Sequence, residues 1–225
     1  MLRWIGSVFF AALLAFSGVL FAGEIGMVLK AKGNAEIHRG ADILKAKKKT
    51  QVEAGDKIVT GSKDQVFLRM IDKSKMIVRP NSEVLLKELV YEKKSTDKQE
   101  TAVLKGGIRA VSGELAKKNQ QNVKFSAGTA TIGIRGTDIE VAIIGDGMQD
   151  RAGIYNFVHD GLTEMQLATG ESAMIEKEKS GFTPKDPKPG ESLLQVLDDR
   201  PAFLSGSGFD TLMQQLTNPR VPGIR

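Results

Sequence analysis

The sequence predicts an all-β fold: many short strands joined as a β-sandwich, a roll or an irregular β-solenoid, followed by a C-terminal linker and short helices. Three observations carry that expectation. Apolar residues recur at every second position from Gly26 to about Lys177, the period of a strand with one buried face. Turn formers interrupt the alternation every few residues, and no apolar repeat of 3.6 residues persists long enough to pack a helix. The composition agrees, since 24 Gly against 2 Tyr and 1 Trp supplies many tight turns and little aromatic material for a ligand groove.

The chain opens with Met1-Leu2-Arg3, after which Trp4 to Gly23 carries no ionisable residue. This is the pattern of a Sec-type export signal, expected over residues 1–22 with cleavage after Ala22. The run is also long enough to span a bilayer, so retention as an anchor is the alternative. In either case the remainder is expected outside the cytoplasm, periplasmic or secreted. Loss of residues 1–22 removes only Arg3 and takes the formal net charge from +5 to +4. The positive excess in Lys45-Ala46-Lys47-Lys48-Lys49 and Lys93-Lys94 reads as solvated loops. The absence of cysteine excludes disulfides, thiol catalysis and Cys-based zinc sites.

Within the alternating region Val66, Leu68 and Met70 share one face, as do Val84, Leu86 and Val90. Val123 and Phe125 flank Lys124, and Ile139, Val141 and Ile143 alternate with Glu140, Ala142 and Ile144. After Lys177, Ser180 to Gly190 holds three prolines and two glycines and reads as a linker. Glu191–Leu197 and Phe209–Leu216 then carry enough apolar residues for two short helices. The expected organisation is a signal peptide over 1–22, a β domain over 23–177, and a linker with a helical or disordered tail over 178–225.

Several stretches line up, in order, with one family. Gly26-Met27-Val28 to Gly33-Asn34-Ala35-Glu36-Ile37 is similar to its opening strand pair, and Gly55-Asp56-Lys57-Ile58-Val59-Thr60-Gly61 to its first turn. Met76 to Val84, through Pro80-Asn81-Ser82, is similar to its second. Leu104-Lys105-Gly106-Gly107-Ile108-Arg109, Ser112-Gly113 and Thr129 to Thr137, through Gly133-Ile134-Arg135-Gly136-Thr137, are similar to its closing run. The ordered set resembles the FecR domain. It implies structural roles for Gly55, Asp56, Thr60, Gly61, Pro80, Asn81, Ser82, Gly106, Arg109, Gly113, Gly133, Arg135, Gly136 and Thr137. The residues support such roles independently: Gly supplies positive φ, Asp and Thr cap turn donors, and Arg135 between two glycines is expected to clamp carbonyls or a carboxylate inside the fold. The resemblance also implies a periplasmic relay from a TonB-dependent outer-membrane receptor to a sigma factor. Only three residues precede the apolar run here, so the domain is expected without the cytoplasmic arm of that circuit.

No catalytic constellation is expected. His38 and His159 read as turn residues, and no Gly-x-Ser-x-Gly elbow accompanies them. Asp138 and Glu140 share one strand face, side by side rather than across a groove. Asp146, Asp150 and Asp160 lack the spacing of known calcium loops and read as solvated. Neither cofactor nor metal is expected, nor nucleic-acid binding, and a membrane contact only through an uncleaved N-terminus. The expected function is a non-catalytic binding or scaffold module whose partner is an envelope protein or cell-wall polymer, with exposed strand edges as a docking mode. The alternative is an envelope signalling component.

Overall fold

Alternation becomes strand along the residues described by this computed structural model, 23–205. The expected export signal and the expected helix Phe209–Leu216 lie outside them. The N-terminal part comprises β1 (Glu24–Lys32), β2 (Glu36–Arg39), β3 (Asp42–Lys45), β4 (Gln51–Glu53) and β5 (Lys57–Val59). The centre comprises β6 (Gln65–Met70), β7 (Lys75–Val78), β8 (Glu83–Val90), β9 (Lys98–Val111) and a short helix α1 (Glu114–Lys118). There follow β10 (Val123–Ala127), β11 (Ala130–Ile144), β12 (Gly153–Leu167), β13 (Ser172–Glu176), β14 (Ser180–Pro184) and β15 (Gln195–Leu197). All fifteen strands belong to one hydrogen-bonded sheet, so the all-β expectation holds.

The sheet is open, running from β15 to β4, and two of its long strands change partners at a left-handed glycine. In β9, residues 98–105 pair with β8, while 106–111 pair with β11 and 108–111 with β7. Gly106, at φ +68, stands at the change. In β11, residues 130–133 pair with β10 and 138–143 with β9. Gly136, at φ +65, lies in the register shift between Arg135 and Asp138. Such a bulge bends and twists its strand. The concave side buries Val103, Ile108, Phe125, Ile132, Ile139 and Val141 in the main core. The β9–β10 pair is parallel, and its crossover contains α1 and a 3-10 turn, Gln120–Asn122.

A second bulge corrects one face assignment. Val84 and Leu86 are buried as expected, but the register shifts between Leu86 and Glu88, and Leu89 rather than Val90 then points inward. One added residue reverses side-chain parity.

The C-terminal expectation needs a larger correction. Ser180–Pro184, read as the start of a linker, is a buried strand on β12, and Glu191–Leu197 forms no helix but supplies β15, paired with β14. Pro184 is tolerated because it ends its strand, and Gly153 opposite it leaves room that a Cβ would lose to the Thr183 carbonyl at 2.3 Å. This segment and Ala202–Leu204 cover the outer face of β11 and β12, where Ala142, Ile144, Tyr155, Phe157, Phe182 and Leu204 form a second apolar cluster. The middle of the sheet is therefore buried on both faces.

Candidate functional site

The motif turns converge. Thr60 Oγ1 donates to the Arg79 carbonyl at 2.6 Å and accepts from the Ser82 amide at 2.9 Å, while Ser82 Oγ accepts from the Gly107 amide at 2.9 Å. The Asn81 amide, just after Pro80, donates to the Gly61 carbonyl at 3.1 Å, and Asn81 takes φ +54. Segments separated in sequence are thus held at one point by short polar side chains, which satisfy backbone groups that the turns expose. Gly113 runs over the Asp72-Lys73-Ser74 turn, where a Cβ would lie 2.4 Å from the Asp72 carbonyl oxygen. Thr137 is buried at the β11 bulge, and its carbonyl accepts from the Ser112 amide at 2.9 Å.

Of the buried charges, Asp72 and Asp97 accept from Ser74 and from backbone amides, and the rest form three carboxylate and arginine groupings. Asp56, fully buried after Gly55 at φ +88, accepts from its own turn at Glu53 and takes Arg39 through both oxygens at 2.8 Å. That hydrogen-bonded carboxylate raises the Arg39 pKa. Arg109 grips Asp138 in the same two-pronged manner, both distances 2.8 Å. Glu140, with no exposed surface, accepts from Arg79 Nη1 at 2.6 Å, meets His159 Nε2 at 2.7 Å and takes Arg200 as a third partner. Arg79 also donates to the Phe203 carbonyl at 3.2 Å and lies 5.4 Å from the Phe203 ring centre. This cluster fastens the C-terminal segment to the sheet.

The expectations for the histidines, Asp150 and Arg135 are corrected here. His38 and His159 are strand residues, bound to Glu36 and Glu140. Asp138 and Glu140 share one face of β11, as expected, and serve separate arginines, Arg109 and Arg79. Asp146 and Asp160 are solvated, as expected, beside Lys185 and Lys177, whereas Asp150 accepts from the amides of Ala202 and Phe203. Arg135, the expected clamp, points outward and makes no ion pair or hydrogen bond among the described residues. The clamping is done by Arg79 and Arg109, in β-strand surroundings that supply carboxylates. Arg135 has the outward parity of Thr131 and Gly133, opposite buried Ile132 and Ile134.

Arg135 instead borders a groove of about 470 Å³ on the outer face of β10, β11 and β12. Register explains its form. Lys124, Gly133 and Glu164 stand abreast on adjacent strands, so a charged wall rises on either side of a floor with no side chain. Thr131 and Gln166 form the next rung, and Gln120 and Gln121 close one end. Gly133 is required by neither sterics nor backbone: its φ is not left-handed, and a Cβ there would meet only the Glu164 carbonyl oxygen, at 3.9 Å. At the start of α1, Glu114 accepts hydrogen bonds from Lys73 and Tyr91, which hold its carboxyl pKa down to about 2. Sequence reasoning placed Arg135 inside and did not find this groove. The exposed parity of Lys124 between Val123 and Phe125 was its one visible sign.

Residues 56–161 match the family model described as FecR protein. No curated protein matches the chain. Among solved structures it is similar to two of a proposed anti-sigma factor from Parabacteroides distasonis ATCC 8503. The first has 8% identity and a TM-score of 0.48, covering 71% of this chain and 64% of that one. The second has 8% identity and a TM-score of 0.47, covering 64% and 59%. The chain thus spans less than two thirds of the proteins it resembles.

Proposed function

We propose, from the premise that residues 56–161 carry a FecR domain, that this chain is an exported, non-catalytic binding or scaffold module of the cell envelope. One observation supports this reading above the rest. Folding accounts for Gly106, Gly113, Gly136, Arg109 and Asp56 through left-handed backbone, close approach or ion pairing, yet it gives no use to Arg135 or Gly133. Those two belong to a solvent-facing groove, and a polar groove whose guanidinium is unengaged among the described residues is suited to holding a ligand. The test is retention of envelope components on immobilised protein, comparing the natural chain with Arg135→Ala and Gly133→Val. Both variants are expected to keep their stability, Gly133→Val gaining up to about 1 kcal/mol because β-branched residues suit strands better than glycine. Both are expected to lose the retained component. Unchanged retention in both would remove this reading.

The domain match favours a second reading, that of an envelope signalling component. Deleting the gene should then shift expression of a sigma-factor regulon, whereas a scaffold would leave transcription unaltered.

A further inference from the structure

Gln120 and Gln121, which close one end of the groove over Gly133, have a further concave surface on their other side. The same two residues border a second groove of about 330 Å³, which runs past Lys117 and Lys118 at the end of α1. Along the two adjoining grooves, among the described residues, four cations, Lys117, Lys118, Lys124 and Arg135, face a single carboxylate, Glu164. None of these five makes an ion pair among the described residues. Elsewhere lysines find partners, as Lys57 does in Glu83, Lys87 in Glu100 and Lys98 in Glu88. A concave surface lined by one sign of charge focuses its field and concentrates the opposite sign within it.

We infer that the two adjoining grooves together bind an acidic, extended segment of a partner protein, an inference that rests on the binding-module reading. The Arg135 guanidinium presents a planar fork that matches a carboxylate, and Lys124 stands one strand away as a second, more pliable cation. Between them, Gly133 lets the bound backbone come close to the sheet. The amides of Gln120, Gln121 and Gln166 offer both donors and acceptors, which is what peptide groups demand. Glu164 accepts a peptide N–H and repels an acidic side chain placed beside it, so it sets the spacing of the acidic residues. A sugar polymer is disfavoured because, among the described residues, no aromatic ring borders either groove to stack on a pyranose. A lipid surface is disfavoured by the concave shape and the lack of an apolar wedge.

The experiment uses fluorescence anisotropy on the full chain with a labelled octapeptide of alternating Glu and Gly. The matching Lys-Gly peptide, polygalacturonate and phosphatidylglycerol vesicles complete the probe set. The Glu-Gly peptide is expected to bind and the Lys-Gly peptide not, with affinity falling as salt is raised. Arg135→Ala, Lys124→Ala and the double change Lys117→Ala/Lys118→Ala should each weaken binding by about tenfold, the scale of one lost charge-assisted contact. Gly133→Val should do the same while the fold remains intact. Lys47→Ala/Lys48→Ala, a basic loop away from the grooves, should change nothing. Equal affinity in all variants, or binding of the polysaccharide or vesicles in place of the peptide, overturns the inference. If groove variants lose envelope retention while the peptide binds no version of the chain, the acidic-peptide inference fails and the binding module stands. If retention is also indifferent to the groove, both fail.

Discussion

Glu140→Ala is expected to lower the stability of the fold by about 3–5 kcal/mol, the usual result of removing one partner from a buried ion pair. The carboxylate has no exposed surface and is shared by Arg79, Arg200 and His159, so its loss deprives three groups of one counter-charge at once. Arg79 is itself buried, at 3% exposure, and cannot recover the difference from water without opening the segment above it. In a domain of this size the shift in thermal midpoint should be on the order of 10 °C. Glu140→Gln, which keeps the volume and an accepting oxygen, should fall between. Thermal and urea melts read both, and a loss below about 1 kcal/mol for Glu140→Ala would mean that the cluster contributes little to the fold.

Gly106→Ala is expected to cost about 3 kcal/mol through two causes that a paired substitution separates. At φ +68 any side chain pays for left-handed backbone, about 1–2 kcal/mol. Here the new methyl would also lie 2.3 Å from Ser82 Oγ and 2.5 Å from the Asn81 carbonyl oxygen, displacing the hydroxyl that accepts from Gly107. Overpacking of that kind adds about 1–3 kcal/mol. Gly136→Ala meets the same backbone condition, φ +65, with nothing within 4 Å of the added carbon. Its cost should be the backbone share alone. Equal losses in urea melts of the two variants would refute the close-approach account of Gly106.

Period-two alternation identified the strands from Gly26 to Lys177 because a half-buried strand writes its burial directly into residue type. It failed where that condition failed. At β8 an inserted residue changed the parity, a matter of backbone geometry that leaves Leu89 and Val90 looking alike in sequence. At β14 every residue from Ser180 to Pro184 is buried, so no alternation remained and the prolines dominated the reading. The same hidden covering concealed Glu140. On alternation alone it belongs to an outward face with Ala142 and Ile144, and only the return of residues 195–204 over that face buries it. Turn residues such as Gly55, Asp56 and Thr60 were legible because their conformational needs are local. The roles of Arg79, Arg109 and Arg135 were not, since an arginine's partner lies on another strand. The groove was equally hidden, being a product of register between β10, β11 and β12.

The bond between Arg79 and Glu140 joins positions 61 apart in sequence, and that between Arg200 and Glu140 joins positions 60 apart. A chain made from its N-terminus therefore presents Arg79 long before Glu140, and Glu140 long before the arginine that completes its shell. Until then β11 and β12 carry an apolar flank still awaiting cover. The last turn of the described chain acts as a latch, so a nascent or truncated chain ending before Pro201 would offer that flank to chaperones and proteases.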